Sequence, residues 1–151
     1  MTRSAGVWLL LTSLVAPVDA AVAGQSTDAA SQHFVIIVHP SNSTSEMTRD
    51  QLSEIFRKIT TQWPEGVPAH PVDQYETSAT RMAFSRAVFG KDVTAIMSYW
   101  YQQVYSGRGV PPLQVKDDAA VVAIVRDDPG AIGYIARGSV PEGVRVVRLA
   151  P

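Results

Sequence analysis

The sequence predicts an α/β domain: a mixed sheet flanked by helices. Three observations predict it. Short β-branched runs stand near the start and end of the chain, at 33–39, 131–135 and 144–149. Between them lie segments whose apolar residues repeat at helical spacing, and no linker or internal repeat divides the remainder. Strands separated by helices imply a layered core with some parallel pairing, and about 130 residues are enough for one such core.

Residues 33–39 form an almost unbroken β-branched and aromatic run that Pro40 stops, which fits a strand buried on both faces. After the turn-forming residues 40–45, Thr48 and Gln51 have the spacing of a capping box. Leu52, Ile55, Phe56 and Ile59 then make one apolar helix face. The run Ala69–Asp73 contains Pro71, so it predicts a short or edge strand. A second helix spans Ser78 to Phe89 and stops at Gly90. Asp92 caps a third, with Val93, Ile96, Met97, Trp100, Tyr101 and Val104 directed inward. Gly107–Pro112 is an extended loop. Asp117 caps a fourth helix that buries Val121, Val122 and Val125 and ends at Asp128-Pro129-Gly130. The last two β-branched runs complete the order β-α-β-α-α-α-β-β.

Residues 1–23 have the features of a signal peptide: Arg3, an apolar run from Val7 to Val15, and small residues allowing a cut after Ala20 or Ala23. Pro17 and Asp19 end the apolar run short of the ~20 residues that span a bilayer. Residues 24–32 are a flexible lead-in and 33–151 the domain. Export to the periplasm, with no membrane span after cleavage, is the expectation. Thirteen Lys+Arg against fourteen Asp+Glu give no overall attraction to nucleic acid or anionic membrane. The chain has no cysteine, which excludes disulfides, zinc–thiolate sites and thiol nucleophiles. His33, His39 and His70 lack metal-site spacing, and no catalytic motif occurs, so neither metal, cofactor nor enzymatic activity is expected.

Three segments, in this order, carry a resemblance. Thr48–Phe56 is followed by Trp63; Ser78-Ala79-Thr80 opens a helix with Phe84 downstream; and Pro129–Ile135 reads PGAIGYI. Together they resemble the phosphate-binding proteins of ABC transporters, in the type II periplasmic binding protein superfamily, and most of all its small single-lobe branch. The resemblance runs from Val35 to Ile135 and implies a single periplasmic-binding-protein-like lobe that binds phosphate. The sequence departs from the pattern at two positions: Gln74 stands where the family's phosphate motif has arginine, and Ala79 where it has glycine.

The residues themselves point to the same segment. A helix starting near Ser78 leaves its first N–H groups without intrahelical partners. Thr77, Ser78 and Thr80 add hydroxyls and Arg81 a guanidinium, a donor set that suits a tetrahedral anion. In the opposing interpretation Thr77 or Ser78 only caps the helix and Arg81 is a solvated surface charge. Ser41 and Asn42, just past the first strand, could add donors or form an ordinary turn. Arg108, between two glycines, could approach a ligand or order its loop. Trp63, Trp100 and Tyr101 are core aromatics.

The expectation is an exported solute-binding-type domain that takes a small oxyanion, phosphate first, for an ABC transporter. The oxyanion candidates are Ser41, Asn42, Gln74, Thr77, Ser78, Ala79, Thr80, Arg81 and Arg108. The alternative is an interaction module without a ligand that docks on a transporter, sensor or other envelope protein. A homodimer could supply the second half of a ligand shell.

Overall fold

The strand β1 (Phe34–Val38) has neighbours on both sides and runs antiparallel to each. The computed structural model that shows this describes residues 33–138 and 140–150, so the predicted leader and lead-in lie outside the described residues. Following β1 are β2 (Glu46–Met47), α1 (Arg49–Phe56), β3 (His70–Gln74), α2 (Ala79–Phe84), a π-helical segment (Ser85–Phe89) and α3 (Val93–Tyr105). The chain ends with β4 (Leu113–Val115), α4 (Asp118–Asp127), β5 (Ala131–Ala136) and β6 (Arg145–Leu149). The described strands form one six-stranded mixed sheet in the order β2-β6-β1-β5-β3-β4. β3 is parallel to β4 and β5, and β2 to β6, so β1 alone runs against the rest. The C-terminal ends of β3, β4 and β5 therefore share one edge of the sheet with the start of β1.

Two-residue alternation splits the strands between two cores. Phe34, Ile36, Val38, Ile132 and Tyr134 pack with Leu52, Ile55, Phe56 and Phe84. Ile37, Val72, Ala131 and Ile135 pack with Val121, Val122 and Val125 of α4. Gly133 lets α4 lie close on β5, because a Cβ there would stand 2.4 Å from Val121 Cγ1.

The local signals act as the sequence predicts. Thr48 and Gln51 form a reciprocal capping box, and Asp92 and Asp117 accept from Ala95 N and Ala120 N at their helix starts. Five expectations need correction. Ile59 is 57% exposed, because α1 closes at Phe56 and Lys58 turns the chain away at φ 54°. Tyr101 and Val104 are also exposed, since α3 runs past Trp100, its last buried residue. β3 is not an edge strand: β5 pairs with His70 and Pro71, β4 with Val72–Gln74, and the proline sits where one ladder gives way to the other. The second helix changes from α to π at Ser85 before Gly90 ends it in the left-handed region. The short strands β2 and β4 were not expected; with two and three residues they are too short to show a period.

Candidate functional site

The turn from Gln74 to Arg81 lies at the C-terminal end of β3, where strand alternation sends Asp73 toward α2 and Gln74 toward α4. Ser78 is the N-cap of α2: its Oγ accepts from Arg81 N at 3.2 Å and donates to Gln74 Oε1 at 2.6 Å. Gln74 Nε2 donates to Asp118 Oδ1 at 2.7 Å and to Tyr134 O at 3.0 Å. Asp118, the first residue of α4, accepts from Ala136 N through its other oxygen at 2.9 Å. Gln74 thus ties β3, β5, α4 and the start of α2 together.

Beneath this turn lies a buried charged group. Arg81 is only 1% exposed; its Nη1 is 2.9 Å from Asp73 Oδ2 and also donates to the carbonyl of Gln74. Its Nη2 is 3.7 Å from Met97 Sδ, and its Nε has no hydrogen-bond partner among the described residues. Asp73 accepts further hydrogen bonds from the Tyr134 hydroxyl and from Gln74 N, the latter at 2.9 Å. A buried charge requires such partners, since an isolated one is too costly to desolvate. Burial pushes the Asp73 carboxyl above its usual range, opposed by the Arg81 charge, the Tyr134 hydroxyl and the Gln74 N–H. Burial first, then the Asp73 charge and hydrogen bond, raise the Tyr134 hydroxyl, which stays a proton donor throughout the physiological range.

The structure brings Gln74, Thr77, Ser78, Ala79, Thr80 and Arg81 to this one place. Thr77 and Ala79 are exposed, while Ser78 and Thr80 are half-buried. Arg81 is neither an open guanidinium nor a solvated charge: its Asp73 and carbonyl partners hold it under the turn. Ser41 and Asn42 do not join the group. Because β1 is antiparallel to β5, the loop after β1 emerges at the opposite sheet edge, near the starts of β5 and β6. There Ser41 Oγ pairs with His39 Nδ1 at 2.7 Å, and buried Asn42 accepts from Thr44 N at 2.9 Å and from Arg145 at 2.8 Å. Arg108 is exposed in the loop that enters β4 from its N-terminal end, and no contact among the described residues links it to the turn. His70 pairs with Asp128 at 2.6 Å, and no cluster among the described residues could hold a metal ion.

Asp118 and Tyr134 are site residues that sequence reasoning missed. Tyr134 carried a usable signal: a hydroxyl inside an otherwise apolar strand needs a buried partner. Asp118 carried none, since its partner Gln74 is 44 residues away.

The sequence matches the family model described as "PBP superfamily domain" over residues 15–147. The chain belongs to that family. No protein of curated function matches the sequence. Among solved structures, this PBP superfamily domain resembles an ABC-type phosphate transport receptor from Vibrio cholerae, with 21% identity and a TM-score of 0.62 over 78% of this chain and 46% of the receptor. It resembles equally a protein of Clostridium perfringens solved with bound phosphate, with 23% identity and a TM-score of 0.62 over 78% of this chain and 44% of that one. The PstS protein of Borrelia burgdorferi follows at 14% identity and a TM-score of 0.54, over 78% of this chain and 47% of its own. The PBP superfamily domain thus has the fold of these proteins and spans about half their length.

Proposed function

We propose that the chain is a solute-binding-type domain, not an enzyme, that acts outside the cytoplasm and takes a small oxyanion, phosphate first, at the Thr77–Thr80 turn. The position of this turn carries the proposal. It sets the hydroxyls of Thr77, Ser78 and Thr80 at the C-terminal end of a parallel strand, a common place for ligands in open α/β sheets. The likeness to a protein solved with bound phosphate supports the choice of ligand. Arg81 supports the turn from below and does not touch the anion. We further propose that a second copy of the chain or an envelope transporter completes the ligand shell.

One observation favours a second reading, an interaction module that binds no anion. Gln74 is hydrogen-bonded through both ends of its amide, and Asp118 brings a carboxylate to the same turn, where it would repel an oxyanion.

Thermal unfolding in a phosphate-free buffer separates the two. If the oxyanion reading holds, one of phosphate, arsenate or sulfate raises Tm selectively at matched ionic strength. An anion present at about 100 times its Kd stabilises by about 2.7 kcal/mol. The Thr77→Ala/Thr80→Val variant should lose that rise while keeping the anion-free Tm. No selective rise for any oxyanion would leave the interaction module.

A further inference from the structure

Two grooves of nearly equal size use opposite sides of α1, and their charges are opposed. The first, about 540 Å³, takes Glu54 from α1 and Glu46 from β2, and no lysine or arginine is among its described lining residues. The second, about 550 Å³, lies between α1, the π-helical segment and α3. Arg57 and Lys91 line it, with Asp50 as its single carboxylate.

Several basic residues elsewhere are already engaged by oxygen acceptors. Arg81 and Arg148 are paired with carboxylates, and Arg126 and Arg145 donate to backbone carbonyls. Among the described residues no carboxylate lies within salt-bridge distance of Arg57 or Lys91. Arg57, at the C-cap of α1, instead lies over the ring of Tyr99, its Cζ 5.3 Å from the ring centroid. The groove floor is apolar: Val88 and Phe89 come from the π-helical segment and Ile96 from α3. π-Helical turns recur at functional sites because they displace side chains from the regular helical register.

We propose that this second groove is a binding site for a small amphipathic anion, an aromatic or aliphatic sulfonate or carboxylate. Its apolar body would lie on Val88, Phe89 and Ile96, with its charged head between Arg57 and Lys91. A cavity of this size falls within the roughly 300–1,000 Å³ of small-molecule sites. Charge separates this groove from the acidic one; a third groove of about 530 Å³ also holds two arginines, Arg126 and Arg137, but there Arg126 is already tied to the carbonyl of Glu142. The site is independent of the turn at the end of β3, because none of Gln74, Thr77, Ser78 or Thr80 lines it.

The test uses the full chain and the aromatic sulfonate 8-anilinonaphthalene-1-sulfonate, followed by fluorescence and by amide chemical shifts of the folded protein. The expected result is saturable one-to-one binding with shifts centred on Arg57, Phe89, Ile96 and Tyr99. Arg57→Gln and Lys91→Gln should each weaken binding about tenfold, the size of one lost charge-assisted hydrogen bond. Glu46→Gln/Glu54→Gln in the acidic groove should leave the affinity unchanged. Full affinity in the Arg57→Gln/Lys91→Gln variant would overturn the proposal, as would shifts centred on the acidic groove or spread over the whole chain.

Discussion

The two faces of the sheet solve the packing problem with different chemistry. Under α1 and α2 the core is aromatic: Phe84 stacks on Tyr134 with centroids 3.9 Å apart and planes 7° from parallel, and Phe56 lies 4.7 Å from Phe84. Under α4 the core is aliphatic and closely fitted, with Val121 and Val125 fully buried and Gly133 allowing the helix to approach. The buried ion pair occurs on the aromatic face. Tyr134 accounts for this, since its ring joins the aromatic stack while its hydroxyl reaches Asp73. Both faces reach the candidate site, the aliphatic one through the Gln74–Asp118 hydrogen bond and the aromatic one through the buried Asp73–Arg81 pair.

Breaking the aromatic stack should have the larger effect. Phe84→Ala removes the ring between Tyr134 and Phe56 and should cost about 3–5 kcal/mol in urea unfolding, with the cavity it leaves adding to the lost burial. A smaller loss sharpens the comparison at the polar end of the stack. Tyr134→Phe keeps the ring but removes the donor to Asp73 and a 3.3 Å acceptor for Gln74 N, and should cost about 1–3 kcal/mol. On the aliphatic face the sensitivity is steric. Gly133→Ala should cost about 1–3 kcal/mol by overpacking against Val121, and Val121→Ala added to it should recover part of that loss. If Gly133→Ala were neutral, α4 would not be closely fitted to β5.

What was legible in the sequence follows the range of the interactions. The caps at Thr48, Ser78, Asp92 and Asp117 act over three residues, so their signatures stand intact in the sequence. The long strands β1 and β5 stand out as unbroken apolar runs, and the inward face of α4 shows its helical period, for the same reason. Strand direction is a long-range property: nothing near Ser41 reveals that β1 runs against its neighbours, and that direction places Ser41 and Asn42 away from the Gln74–Arg81 turn. Arg81 misled in a different way. A lone arginine after a cap reads as surface, and only the pairing of β3 with its neighbours brings Asp73 and Tyr134 to bury it.

The central claim is that Arg81 and Asp73 act as one structural unit beneath the turn. A double-mutant cycle in urea tests it, with Arg81→Met, Asp73→Asn and the two combined. Each single change leaves a buried group unpaired and should cost about 3–5 kcal/mol. The combined variant should cost less than the sum by about 0.5–3 kcal/mol. Single changes within about 0.5 kcal/mol of wild type, the range of ordinary surface substitutions, and strictly additive in combination, would contradict the account.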